Sequence, residues 1–114
     1  MLNWKILDSI QQLDELVAIS DTKPVLIFKH STRCSISSVA KNRLETKWDF
    51  SDDVIVPYYL DLLAYRSISD EIASKFNVHH ESPQIILLQK GDVIMDESHL
   101  DINVEGIKEQ LKLI

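Results

Sequence analysis

The residue whose chemistry stands out is Cys34, the only cysteine of the chain. It follows an apolar run, Val25–Phe28, and a short polar turn, and a helical pattern begins after it. Unpaired N–H groups at a helix start favour a negative charge, and the thiolate is the nucleophilic form of cysteine. Thr32 or Ser31 is the predicted N-cap. Cys34 is therefore either a reactive thiol in the first turn of a helix, which we favour, or a small apolar residue of the core.

Basic residues are concentrated around Cys34. The segment from Lys23 to Lys47 contains one acidic residue, Glu45, and six basic ones: Lys23, Lys29, Arg33, Lys41, Arg43 and Lys47. Such a local positive field favours a thiolate and attracts an anionic thiol, and Lys29 and Arg33 are candidate contacts for the anionic group. The alternative is a solvated helix face. The formal net charge of −6 for the whole chain argues against nonspecific nucleic-acid binding.

The bulk composition is that of a single globular domain. The chain has 114 residues, of which 45% are hydrophobic and 26% charged. We therefore expect one domain over residues 1–114. No apolar run approaches the roughly 18 residues of a membrane span, and the first residues lack a signal-peptide pattern. A single cysteine excludes an internal disulfide framework, so we expect a cytoplasmic protein that does not bind membranes.

Five strands are predicted from apolar runs bounded by turn residues. They are Asn3–Leu7, Val25–Phe28, Val54–Leu60, Gln84–Gln89 and Val93–Met95. The last two are joined by a hairpin turn at Lys90, Gly91 and Asp92.

Four helices are predicted from apolar residues at helical spacing and from capping residues. The first is capped by Asp8 or Ser9 and runs to about Ile19. The second follows Cys34, ends near Asp49 and has Ile36, Val39, Ala40 and Leu44 on its apolar face. The third includes Asp70, Ile72, Ala73 and Phe76, and the last is capped by Asn103 and carries Val104, Ile107, Leu111 and Ile114.

The resulting order, β-α-β-α-β-α-β-β-α, predicts an α/β fold. Helices between strands imply right-handed parallel crossovers, and the late hairpin implies an antiparallel edge. This gives a three-layer α/β/α sandwich around a mixed sheet. Sites in such sheets lie beyond the carboxyl ends of the strands, which is where Cys34 falls.

This arrangement resembles the thioredoxin fold: a strand is followed by a turn, a cysteine stands at the start of the next helix, and a hairpin comes later in the chain. In that fold the cysteine motif is Cys-x-x-Cys, whereas this chain has serine at the second position, in Cys34-Ser35-Ile36-Ser37. Ser82-Pro83 stands where the fold has a cis-proline opposite the cysteine. The run FKHSTRCSIS, together with HESPQ, resembles the monothiol bacilliredoxins of the bacillithiol system over nearly the whole chain. The family often has proline where this chain has Ser35.

The resemblance implies a monothiol thiol-disulfide oxidoreductase that reduces mixed disulfides between proteins and a small anionic thiol. Cys34 is the implied nucleophile, and Ser35–Ser37 N–H groups, with the Ser37 hydroxyl, would stabilise its thiolate. Ser82 would offer backbone groups to substrate, and Pro83 would shape the groove beside the sulfur. The substrate-binding residues are expected to be Thr32, Arg33, Ser35, Ile36, Ser37, Ser82 and Pro83.

The implied co-substrate is bacillithiol, and no bound cofactor is expected. The implied partners are S-thiolated client proteins and a recycling thiol or redoxin. Two other functions stay open from the sequence. One is an iron–sulfur cluster carrier of the monothiol-glutaredoxin type, although the chain lacks the Cys-Gly-Phe-Ser motif. The other is a non-enzymatic adaptor with an inert Cys34. His79 and His80 are adjacent and therefore point in different directions, and no further histidine or cysteine supports them, so no metal site is expected.

Overall fold

The computed structural model describes residues 2–112, which form five strands and four helices in the predicted order. The strands are β1 (Lys5–Ile6), β2 (Val25–His30), β3 (Val56–Asp61), β4 (Gln84–Gln89) and β5 (Asp92–Ser98). The helices are α1 (Gln11–Ile19), α2 (Ser35–Lys47), α3 (Arg66–Phe76) and α4 (Val104–Gln110), and a 3₁₀ helix spans His99–Asp101. Within the part described, no helix is both long and apolar enough to cross a bilayer.

The strands form one mixed sheet in the order β1-β3-β2-β4-β5. β3 pairs in parallel with β1 and β2, whereas β4 pairs antiparallel with β2 and β5. β2 lies in the centre, and all six of its residues are buried. A strand covered on both faces needs a continuous apolar run rather than alternation, which is why β2 was recognisable in the sequence. The fold is the predicted α/β/α arrangement.

Two hydrophobic clusters cover the two faces of the sheet. Successive side chains of a strand point to opposite faces, so Ile27 joins one cluster and Phe28 the other. The Ile27 cluster contains residues of α1 and α3, such as Leu16 and Ile72. The Phe28 cluster contains residues of α2 and α4, such as Leu44. The helix that follows the Cys34 turn is therefore fixed to the sheet through the core.

The predicted cap of α1 is wrong. Ile10 occupies the N-cap position, and no side chain caps this helix. The Gln12 side chain explains the difference, because its amide oxygen accepts hydrogen bonds from the backbone N–H groups of Asp8 (2.7 Å) and Ser9 (2.9 Å). The N–H groups that precede the helix therefore find their acceptor in a residue of its first turn. The helix begins at Gln11, after the position that the predicted cap indicates.

The predicted apolar face of α2 is only half correct. Ala40 and Leu44 are buried, but Ile36 and Val39 are 42% and 45% exposed. The buried stripe begins instead at Ser37, three residues before Ala40. Because Ser37 is polar, the hydrophobic pattern does not identify it as a residue that faces the core. The pattern therefore selects the neighbouring Ile36 in its place. The helix also ends at Lys47, because Trp48 leaves the helical conformation, with ψ 116°.

Strand ends differ from prediction in both directions. β1 is only two residues long, and β2 continues through two polar residues to His30. β3 starts at Val56 rather than Val54, because a turn joins the Val54 N–H to the Ser51 carbonyl. β5 extends to Ser98, well beyond the predicted Met95. The apolar pattern located each strand, but it did not identify the polar residues that continue the backbone hydrogen bonding of the sheet.

The hairpin turn between β4 and β5 is confirmed. Lys90 and Gly91 have φ values of 53° and 80°. Two consecutive residues with positive φ are typical of the type I′ turn, whose twist suits an antiparallel pair. Glycine takes up one of these positions without steric cost.

The predicted cap of α4 is confirmed, since the Asn103 side-chain oxygen accepts a 2.7 Å hydrogen bond from the Gly106 N–H. Ile114, predicted for this helix, lies outside the described residues. We expect Asn103→Ala to lower the free energy of unfolding by about 1 kcal/mol, because one N–H group of the first turn loses its acceptor. Chemical denaturation measures the change. Glu109→Ala, an exposed position later in the same helix, is the control and should change it by less than about 0.5 kcal/mol; equal losses would contradict a capping role.

Candidate active site

Cys34 lies at the junction between the central strand and α2. β2 ends at His30, and a turn returns the Cys34 N–H to the Ser31 carbonyl at 3.2 Å. Cys34 itself is the N-cap residue, in extended conformation (φ −111°, ψ 120°). The prediction that Thr32 or Ser31 caps the helix is therefore wrong. Thr32 is exposed in the turn, and the Ser31 carbonyl accepts the hydrogen bond that closes this turn.

The first turn of α2 presents backbone N–H groups beside the thiol. The first helical hydrogen bond runs from the Ser38 N–H to the Cys34 carbonyl, at 3.1 Å. The N–H groups of Ser35, Ile36 and Ser37 precede it and have no acceptor within the helix. Cys34 is partly exposed, and Ser35 and Ile36 are exposed. The positive end of the dipole of α2 therefore lies at this turn.

The Ser37 hydroxyl is directed to two partners other than the sulfur. Ser37 is fully buried; its oxygen accepts a hydrogen bond from the Ser31 N–H (3.0 Å) and lies 2.7 Å from His30 Nδ1. Which of the two atoms, Oγ or Nδ1, donates in the second contact depends on the tautomer of His30. The side chain thus joins the start of α2 to the end of β2. We predicted that this hydroxyl faces the thiolate, whereas the structure gives it a structural contact.

His30 is the neutral, buried partner in this contact. Burial and the nearby Lys41 ammonium lower its pKa below the usual 6.5, although Asp61 and Glu45 act in the opposite direction. Its ring packs between aromatic rings, 5.6 Å from the centroids of both Phe28 and Tyr59.

The second part of the site is a cis peptide bond between Ser82 and Pro83. Gln84, the next residue, pairs with Lys29 near the carboxyl end of β2. Pro83 is one residue further along and is buried, so it lies beside the strand end that leads into the Cys34 turn. The predicted cis-proline is therefore present, next to the strand pair that ends at the Cys34 turn.

The segment that carries this bond, residues 79–83, is called the proline loop below. The Gln84 side chain holds it through the His79 carbonyl (2.9 Å) and the Glu81 N–H (3.4 Å). The Pro83 carbonyl accepts a 3.0 Å hydrogen bond from the His99 N–H. Sequence reasoning missed Gln84, although a polar residue at the head of an apolar strand is the kind of signal that could have identified it.

Lys29 was predicted as a contact for an anionic group, and this prediction is wrong. The residue is fully buried under α3, where its ammonium donates to the Ser69 carbonyl (3.2 Å) and lies 3.3 Å from His80 Nδ1. Burial lowers its pKa from 10.5 to about 8, with Asp70 opposing the change. The reason for the error is strand alternation, which turns residue 29 to the α3 face, away from α2.

The remaining basic residues are divided between structural contacts and the surface. Lys41 pairs with Glu45 at 2.7 Å, and Arg43 reaches the Leu100 carbonyl at 3.3 Å. Arg33 is exposed in the turn next to Cys34. Of the two predicted anion contacts, Arg33 is the one that the fold leaves beside the thiol.

These features together place the chain among redox proteins of the thioredoxin fold. The sequence profile of the family described as monothiol bacilliredoxin BrxC matches residues 5–107. The chain belongs to this family.

Solved structures agree with the fold. A thioredoxin-fold protein described as a candidate oxidoreductase is 35% identical, with a TM-score of 0.80 over 93% of this chain and 91% of its own. Thioredoxin of Malassezia sympodialis is 15% identical, with a TM-score of 0.72 over 97% of this chain and 90% of its own. Thioredoxin of Fasciola hepatica is 15% identical, with a TM-score of 0.69 over 96% and 97%. The two thioredoxins show the shared fold alone.

Proposed function

We propose that the protein removes a small thiol, bacillithiol, from S-thiolated proteins of the cytoplasm. The observation that carries the proposal is the position of Cys34: a partly exposed thiol at the N-terminus of α2, beside the proline loop, with serine where a second thiol would stand. Membership of the monothiol bacilliredoxin family supports bacillithiol as the small thiol.

The reaction is a pair of thiol–disulfide exchanges. The Cys34 thiolate attacks the bacillithiol sulfur of a mixed disulfide; a new S–S bond forms to Cys34, and the client protein leaves as its thiolate. A second bacillithiol thiolate then attacks the bacillithiol sulfur of this adduct, which releases bacillithiol disulfide and the Cys34 thiolate. A recycling redoxin can replace this second thiol. Both steps exchange sulfur for sulfur, so they need no resident cofactor.

The side chains around Cys34 divide between two binding roles. Thr32, Arg33, Ser35 and Ile36 are exposed around the thiol and would contact the small thiol, with Arg33 facing its carboxylates. On the other side, Ser82 would offer its backbone to an extended client segment, and Pro83 would form the wall of the groove. Ser37 would contribute through its N–H group, since its hydroxyl is bound to His30 and Ser31.

The test is intact mass after the reduced protein is mixed with bacillithiol disulfide. We expect one bacillithiol adduct per chain, reversed by a reductant. Because a single thiol has no intramolecular route to expel its partner, the adduct should persist once excess reagent is removed. Glutathione disulfide is the matched comparison and should react more slowly.

The possible outcomes separate the functional classes. A preference for bacillithiol supports the proposal, and equal rates would leave a monothiol redoxin without this specificity. No adduct from either disulfide on folded protein would contradict the proposal and support a non-enzymatic adaptor.

A further inference from the structure

Lys29 has an unusual environment for a lysine. Its side chain is fully buried in the central strand, and none of the ion pairs within residues 2–112 includes it. An ammonium group removed from water without a carboxylate partner destabilises a fold. The mechanism proposed above makes no use of this group. Its contacts therefore need an explanation of their own.

The contacts of Lys29 join three separate elements at one point. The residue belongs to β2, it donates to the Ser69 carbonyl of α3, and it meets the His80 ring of the proline loop at 3.3 Å. The Ser69 hydroxyl lies 3.4 Å from the same ring nitrogen. Lysine has donors only, so His80 Nδ1 must be the acceptor, and the ring is neutral with its proton on Nε2.

The proline loop depends on such contacts, because its cis-proline end has few of its own. The Ser82 hydroxyl is buried and has no partner within the described residues. It therefore does not anchor the loop. Three other contacts hold the loop: the Gln84 side chain, the His99 N–H, and the Glu81 carboxylate, which lies 3.7 Å from His99 Nε2. To these, His80 adds an anchor on Lys29 and Ser69.

We propose that Lys29 is a positioning residue of the active site: through His80 it holds the proline loop where the Ser82 backbone can receive substrate beside Cys34. The proposal rests on the proposed function for what the loop binds. The contact itself is independent of that function.

The charge state of His80 gives this anchor a pH dependence. Burial lowers the pKa of His80 below 6.5, together with the positive charges of Lys29 and Arg66, while Asp70 and Glu81 oppose them. A protonated ring has a proton on Nδ1. This nitrogen then has no lone pair and cannot accept a hydrogen bond from the Lys29 ammonium. Because the folded loop binds this proton less readily than the open loop, the anchor is fully present above about pH 6.5 and weakens as the pH falls through the lowered pKa of His80.

The first test is Lys29→Met, which keeps an unbranched side chain, shorter by the terminal atom, and removes its donors. We expect the rate of removing a small thiol from an S-thiolated protein to fall on the order of tenfold, mainly through a higher KM, because the loop is less well placed. Alkylation of Cys34 by iodoacetamide should stay within about twofold, since this reagent makes no use of the loop. Amide hydrogen exchange in residues 79–82 should accelerate.

Stability separates positioning from a merely structural role. At neutral pH the variant should be at least as stable to denaturant as the natural chain, because a buried charge has been removed. In the natural chain, the free energy of unfolding should rise between pH 8 and 10.5, where folded Lys29 has lost its proton and the unfolded chain keeps it; this rise should vanish in Lys29→Met. Lys47→Met, at an exposed position, is the matched control.

A second pair of variants keeps the proposal testable if Lys29→Met folds poorly. Asparagine places an oxygen near the position of the His80 Nδ1 and does not titrate, so His80→Asn should keep the slow exchange of the proline loop and retain it at acid pH. His80→Ala should lose it at every pH.

Unchanged loop exchange and unchanged KM in both Lys29→Met and His80→Ala would overturn the proposal. Failure of the function itself would look different, since the natural chain would then release no small thiol, while the exchange experiments would still report on the anchor.

Discussion

Cys34→Ser is expected to abolish removal of the small thiol, with a rate lower on the order of a thousandfold or more. A serine hydroxyl is almost fully protonated at neutral pH, and its oxygen cannot form the S–S bond through which the exchange proceeds. Intact mass should show no adduct with bacillithiol disulfide. Release of bacillithiol from an S-thiolated protein, followed over time, gives the rate.

The fold of this variant should be preserved. Cys34 is the N-cap residue of α2, and serine is among the preferred residues at that position. We therefore expect the free energy of unfolding to be unchanged or higher by up to about 1 kcal/mol. Asn42→Ala, at an exposed position of the same helix, should keep full activity and serves as the control. Full activity in Cys34→Ser would refute the role of the thiol.

The elements that the sequence predicted well are those in which one residue type dominates a run. β4 was predicted with its observed bounds, Gln84–Gln89, because its buried residues are contiguous and a hairpin turn follows them. Asn103 was identified as a cap because its contact is local: its acceptor serves an N–H group three residues away. The cysteine and the cis-proline were identified by resemblance of their motifs.

The error at Lys29 has its physical origin in contacts between distant residues. Lys29 contacts Ser69 and His80, which are 40 and 51 positions away in the chain. A single sequence gives no indication of such a pairing, so Lys29 was interpreted as a surface cation. One local feature does agree with its burial: Lys29 directly follows the apolar run that forms the central strand. The hydrophobic pattern gives little information about polar residues at the buried end of a strand. Lys29 is such a residue, and it contacts the loop that forms one side of the candidate site.

Ser37 is another buried polar residue that the hydrophobic pattern did not reveal, and it allows a stronger test of the monothiol mechanism. Ser37→Cys places a second thiol at the end of Cys-x-x-Cys spacing. After Cys34 takes up bacillithiol, the introduced thiolate can attack the Cys34 sulfur, which forms an internal disulfide and expels bacillithiol. We expect the stable adduct to disappear and a product lighter than the reduced chain by two hydrogens to accumulate. Intact mass distinguishes the two products directly.

Ser37→Ala is the matched control for the lost hydroxyl. Either change removes the strong hydrogen bonds to His30 and the Ser31 N–H, so both variants should be less stable by about 1–3 kcal/mol. Only the cysteine variant should form the internal disulfide, whereas Ser37→Ala should keep the persistent adduct. If Ser37→Cys also keeps the adduct, the side chain at position 37 does not reach the Cys34 sulfur, and serine at this position is explained by its contact with His30 alone.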